Sequence, residues 1–160
     1  MTLKYLNHPV GKLAAAALAV TLVGGCASMR DFAGMGDSSA NRVALTTMLR
    51  GANEVPAVNS AGTGSVDAMF DKTTSQLRWK VNYSGLSGPA TAGHFHGPAA
   101  AGANAGVVLG WTAPIQNAME GSAMLTPAQA ADLLAGRWYA NVHTAANPSG
   151  ELRGQMTVRN

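Results

Sequence analysis

The run Gln76-Leu77-Arg78-Trp79-Lys80-Val81-Asn82-Tyr83 alternates without interruption. Side chains on a strand change faces at every residue, so Leu77, Trp79, Val81 and Tyr83 share one side and Arg78, Lys80 and Asn82 take the other. One apolar and one wetted face mark a half-buried antiparallel strand. Ser65 to Phe70 repeats the pattern with Val66, Ala68 and Phe70 inward. The polar Asp71-Lys72-Thr73-Thr74 between the two runs predicts a hairpin. Val43 to Arg50 and Gly150 to Val158 read as further strands, the latter with Leu152, Met156 and Val158 on one face. Gly106 to Trp111 and Ser122 to Leu125 read as short ones, and Gly97 to Gly106 as a small-residue loop. One helix is expected over Ala128 to Ala135, with Thr126 as its cap, Pro127 at its first position and Gly136 ending it. At about two turns it must pack on a sheet to persist. Many short strands with turn signals and one small helix predict a mainly β fold, an antiparallel β-sandwich or barrel.

The first residues read differently. Lys4 and Lys12 precede an apolar run, Leu13 to Val23, broken only by Thr21 and followed by Gly24-Gly25-Cys26. A basic start, a short apolar stretch and small residues are the marks of a secretory signal. The run falls short of the ~20 apolar residues that span a bilayer. Val23-Gly24-Gly25-Cys26 resembles a bacterial lipobox, in which the cysteine is acylated and becomes the new N-terminus. Cys26 is the only cysteine, so no internal disulfide competes for it. The other reading is an ordinary signal peptide with an incidental cysteine. The resemblance implies a signal peptide over 1–25, an acylated (palmitoylated) Cys26 with a flexible tether over 26–41, and one folded domain over 42–160. Ala27 stands where an Asp would retain the protein at the inner membrane. By the same resemblance, its presence favours an outer-membrane lipoprotein facing the periplasm or cell surface.

The formal charge of the full chain is +3. Without residues 1–25, nine basic residues face eight acidic ones. They are dispersed, which argues against nucleic acid as a partner. No Gly-x-Ser-x-Gly elbow, phosphate loop, dinucleotide fingerprint or paired carboxylates for glycoside cleavage appears, so no catalytic residue is assigned. The methionines are scattered rather than in Met-x-Met runs and read as fillers.

Chemistry concentrates in Gly93-His94-Phe95-His96-Gly97-Pro98 and Asn141-Val142-His143-Thr144. On a strand, His94 and His96 point the same way with Phe95 opposite. If the strand of His143 lies beside them, three imidazoles converge, a set that suits copper or zinc. The fourth histidine, His8, lies in the segment expected to be removed. A second reading makes the three structural, with His94 and His96 bonded to loop carbonyls and His143 in a network with Glu151 or Arg153. His143 shares its strand face with Tyr139 and Asn141. Glu54 is either an oxygen ligand, an orienter of a histidine, or a turn cap before Pro56. Glu151 and Arg153, two apart on one face, are expected to pair with a neighbouring strand. The candidate metal ligands are thus His94, His96 and His143, and the side chains able to orient them are Glu54, Tyr139, Asn141, Glu151 and Arg153.

Several phrases occur in order: Leu49-Arg50-Gly51-Ala52-Asn53-Glu54-Val55-Pro56, the Gly93 to Pro98 phrase, Leu125-Thr126-Pro127, Leu133 to Thr144, and Asn147-Pro148-Ser149-Gly150-Glu151-Leu152-Arg153-Gly154-Gln155. The ordered set resembles the CHRD (chordin-like) domain over about Val43 to Val158. That resemblance implies a β-sandwich of immunoglobulin-like, Greek-key character and no assigned chemistry. The His-x-His phrase followed by Val-His is similar to the copper-ligand pattern of copper/zinc superoxide dismutase, also a sandwich. This chain lacks that enzyme's bridging histidine, zinc-loop ligands and disulfide, so a bimetallic site is not expected. A single ion on three histidines, with an open fourth position, remains. Two functions follow. One is a non-enzymatic, lipid-anchored envelope module that binds an unknown envelope protein or lends structure. The other is a periplasmic copper- or zinc-binding protein, with limited redox chemistry.

Overall fold

The computed structural model describes residues 40–112 and 115–159. The expected signal segment, Cys26 and nearly all of the tether lie outside the described residues. Within them the chain forms β1 (Arg42–Arg50), β2 (Thr63–Asp71), β3 (Gln76–Ser84), β4 (Ala90–His96), β5 (Val107–Gly110), β6 (Met119–Met124), α1 (Pro127–Leu134), β7 (Tyr139–Thr144), β8 (Leu152–Gln155) and β9 (Thr157–Val158). Every pairing is antiparallel, in the order β5-β4-β7-β8-β1-β2-β3-β6, with β9 beside β1. No helix among the described residues is long and apolar enough to cross a membrane.

The hairpin β2–β3 follows the period of its residues. Asp71 and Gln76 close its last pair, and Asp71 Oδ1 accepts the Thr73 and Thr74 N–H groups in the turn. The helix begins with a reciprocal cap: Thr126 Oγ1 accepts the Gln129 N–H while Gln129 Oε1 accepts the Thr126 N–H. Gly136 ends it in the left-handed region at φ +69°.

The last expected strand is broken. The Met156 N–H turns inward to the Trp138 carbonyl, and Thr157-Val158 moves over to pair with Thr46 and Leu45. Val158, expected inward, is therefore exposed, while Leu152 and Met156 are fully buried. Gly150 and Glu151 precede β8 rather than belonging to it.

The sheet curls into a half-barrel, a β-sandwich-like arrangement in which β3 faces β4. Trp79 and Phe95 meet edge to face with centroids 5.2 Å apart. Phe95 also packs against Trp111 at 5.4 Å and Trp138 at 6.1 Å, so one phenyl ring of β4 joins three indoles. Such rings carry more apolar surface into a core than any other residue type. Gly93 is required here, since a Cβ would lie 2.0 Å from Trp111 Cε3.

The other face of β4, β7 and β8 carries polar side chains yet is not open to solvent. The 97–106 loop lies across it, tied by Ala99 N–H to the Arg137 carbonyl, by Gln155 Nε2 to the Ala99 carbonyl and by Arg153 to Asn104 Oδ1. On the other side, Asn53 Nδ2 donates to the Arg153 carbonyl. All six residues of β7 are consequently buried.

Candidate metal centre

Strand alternation puts Phe95 in the core and His94 and His96 on the covered face. Strand β7 is the neighbour of β4, with His94 opposite Asn141, His96 opposite Tyr139 and Ala92 opposite His143. His143 therefore sits diagonally from His94 on the same face. One nitrogen from each of the three imidazoles lies within 4.8 Å of the other two. The closest approach is 3.0 Å, between His94 Nδ1 and His143 Nε2.

Two of the rings are oriented by backbone. His143 donates Nδ1–H to the Pro148 carbonyl and His96 donates Nδ1–H to the Ala105 carbonyl, both at 3.0 Å. A neutral imidazole has one N–H, so the Nε2 atoms of both carry lone pairs. His94 completes the ion-free arrangement by donating Nδ1–H to His143 Nε2. Burial, and then the neighbouring His143 and His96, hold His94 below the usual histidine range. Burial also lowers His143, opposed by the Pro148 carbonyl and assisted by His96. Both rings are thus kept in the neutral form that a metal requires.

The surrounding side chains divide. Tyr139 stacks flat on His96, centroids 4.8 Å apart and planes within 1°. Its hydroxyl engages the Ala105 N–H and carbonyl. The Arg153 guanidinium lies 3.5 Å over the Tyr139 ring and donates to Asn104 Oδ1 and the Ala103 carbonyl. Arg153, Tyr139 and the 97–106 loop together fix the plane of His96. Asn141 Oδ1 lies 3.0 Å from His143 Nε2 and 3.1 Å from His96 Nε2.

Glu54 is turned in, not out. Its backbone N–H caps the short 3-10 turn Gly51–Asn53 by bonding the Gly51 carbonyl, but its side chain is buried beside Gly150 and Asn141. Burial pushes the carboxyl up to about 7 against the opposing pull of Arg153.

Glu151 stands apart from the cluster. It bonds neither His143 nor Arg153; its carboxylate accepts from Ser60, Ser87, Thr144 and Asn147 instead. Those four partners, with the carbonyls of Ala105 and Pro148, are the residues that sequence reasoning missed. Carbonyls are present at every position and leave no mark in a sequence. Ser60, Ser87 and Asn147 lie in loops whose return to β8 is a property of the fold.

The CHRD domain family model matches residues 45–156. This chain belongs to the CHRD-domain family. The match runs from Leu45, within β1, to Met156 and contains all three histidines of the cluster. No curated protein and no solved structure was found that matches the chain. What this CHRD domain does must therefore be argued from its own residues.

Proposed function

We propose that this CHRD-domain protein is a non-enzymatic envelope module, anchored by lipid at Cys26, that holds one copper or zinc ion on His94, His96 and His143. One observation carries the metal part. Three imidazole nitrogens converge within 4.8 Å, and two of the rings have their other nitrogen fixed by a backbone carbonyl. Donation of the far N–H to a carbonyl is how ligating histidines are commonly oriented and made more basic. An all-nitrogen imidazole set without thiolate suits zinc or copper.

A tetrahedral ion with bonds of about 2.1 Å separates its ligands by roughly 3.4 Å. To hold such an ion the 3.0 Å pair would open slightly, and the wider spacings, all within 4.8 Å, would close. To ligate through Nδ1, His94 would carry its proton on Nε2 instead, which would free Nδ1 for the ion. The anchor rests on a lone cysteine at the end of a short apolar run.

Calorimetric titration of the purified protein with zinc and with copper tests the metal, beside a variant with all three histidines changed to alanine. One equivalent bound tightly, and lost in the variant, is expected. Because burial lowers His94 and His143, binding is expected to survive to lower pH than ordinary imidazoles would allow and to fail in stronger acid. Equal heats from protein and variant would leave the imidazoles as a structural trio satisfied by the His94–His143 bond.

A further inference from the structure

The three histidines do not face the centre alone. Asn141 is directly opposite His94 in the β4–β7 register, 2% exposed, with its Oδ1 3.0 and 3.1 Å from the Nε2 atoms of His143 and His96. Those two nitrogens carry lone pairs, because their partners Nδ1–H are committed to the carbonyls of Pro148 and Ala105. An amide oxygen against two nitrogen lone pairs repels them in an ion-free protein. With a cation among them, the same three atoms are ligands. Their spacing already approaches the roughly 3.4 Å edge of a tetrahedral sphere.

A second observation concerns the far side of the amide. Glu54 Oε1 is buried without a hydrogen-bond partner. A single point above Gly150, where a Cβ would stand, is 2.3 Å from Glu54 Oε1 and 3.0 Å from Asn141 Nδ2. In the structure Nδ2 faces the Gly150 and Glu54 side and Oδ1 faces the imidazoles. Gly150, without a Cβ, is what lets the carboxylate and the amide share this space.

We infer that Asn141 Oδ1 is the fourth ligand of the centre. This rests on the three-histidine reading and deepens it. Sequence reasoning expected an open position for water or a small molecule. Four protein donors leave none, and a closed four-coordinate site retains its ion rather than presenting it to a substrate. An amide oxygen is also a hard donor, which favours zinc(II) or copper(II) over copper(I). The rival arrangement turns the amide so that Nδ2 donates to both imidazoles, which satisfies the rings and supplies no fourth ligand.

Cobalt(II) in place of zinc reports both the number of ligands and access to the ion through its visible absorption. In the purified wild-type protein an intense four-coordinate band is expected, unmoved by millimolar azide. In Asn141→Ala, azide enters, the band shifts, and zinc affinity falls roughly ten- to a hundredfold. Asn141→Asp keeps an oxygen donor and is expected to stay closed to azide. A wild-type band that azide shifts as it shifts Asn141→Ala overturns the fourth ligand while leaving the three histidines in place. This reading needs only the wild-type protein if the alanine variant does not fold. A wild-type protein that takes up neither cobalt nor zinc overturns the metal reading itself, and this inference with it.

Discussion

Changing Glu151 to Gln tests how strongly a single buried carboxylate ties this sandwich together. Glu151 is fully buried. Its Oε1 accepts from Ser60 Oγ at 2.7 Å and from the Ser87 N–H at 2.8 Å, and its Oε2 from Thr144 Oγ1 at 2.6 Å, from Asn147 Nδ2 at 3.1 Å and from Ser87 Oγ. Three loops thereby meet at the start of β8. Burial alone would raise this carboxyl. The hydrogen bonds from Ser87, Thr144 and Ser60 outweigh it and hold the group down to about 2, from an ordinary 4.5. A folded-state value below the unfolded one adds stability above pH 4.5, and that stability is lost as pH falls towards 2. At about 1.4 kcal/mol per tenfold, the contribution at neutral pH is ~3 kcal/mol. By the same relation about 2 kcal/mol of it is gone by pH 3. Gln keeps the shape but removes the charge and sets an NH₂ group against donors, so Glu151→Gln is expected to lose about 3 kcal/mol or slightly more at pH 7. Urea unfolding of both proteins at pH 7 and pH 3 measures this. Other carboxylates titrate alike in the two proteins and cancel in the difference. A gap below ~1 kcal/mol at pH 7, or one equally large at both pH values, would refute the reasoning.

Three further outcomes are expected. Glu54 has the opposite sign: its folded-state value of about 7 lies above the ordinary 4.5, so stability declines as pH rises through that interval. Glu54→Gln should remove up to ~3 kcal/mol of that decline between pH 4.5 and 8, read from melting temperatures in metal-free buffer. Gly150→Ala places a methyl 2.3 Å from Glu54 Oε1 at a φ of +130°. It should cost roughly 3 kcal/mol or more, and wild-type stability in denaturant would contradict the crowding described here. Cys26→Ser should abolish incorporation of radiolabelled palmitate in cells and move the protein from the detergent phase to the aqueous phase. Unchanged labelling would show that the lipid is attached elsewhere, and no label in either protein that there is none.

The strands most legible in the sequence were those with one wet face. In β2 and β3 the outward positions meet solvent, so Val66, Trp79 and their neighbours alternate with mostly polar residues. The helix was equally plain, because Thr126, Pro127 and Gly136 are terminal signals with local causes. Strand β7 hides its role, since both faces are buried and His143 looks the same as ligand, core residue or network member. Its place beside β4 comes from a connection that runs through β5, β6 and α1, and no local pattern encodes that. The break at Met156 was illegible for a related reason. Leu152, Gly154, Met156 and Val158 alternate straight through it, and only the capture of the Met156 N–H by the Trp138 carbonyl diverts the chain. Glu54 and Asn141 sat in the expected neighbourhood of the histidines, but their meeting over Gly150 depends on two loops arriving at one point.

The alternation His94-Phe95-His96 couples the aromatic core to the imidazole cluster through a single stretch of backbone. Were β4 to pair with β7 one residue out of step, the phenyl ring would be cast onto the polar face and two imidazoles thrust among the indoles. Such a misfolded chain would have no place for an ion. If the centre takes up an ion and the protein is exported, both as proposed, ion uptake would serve as a readout of correct strand registration, a built-in certificate of proper folding for a molecule that must assemble outside the reach of cytoplasmic chaperones.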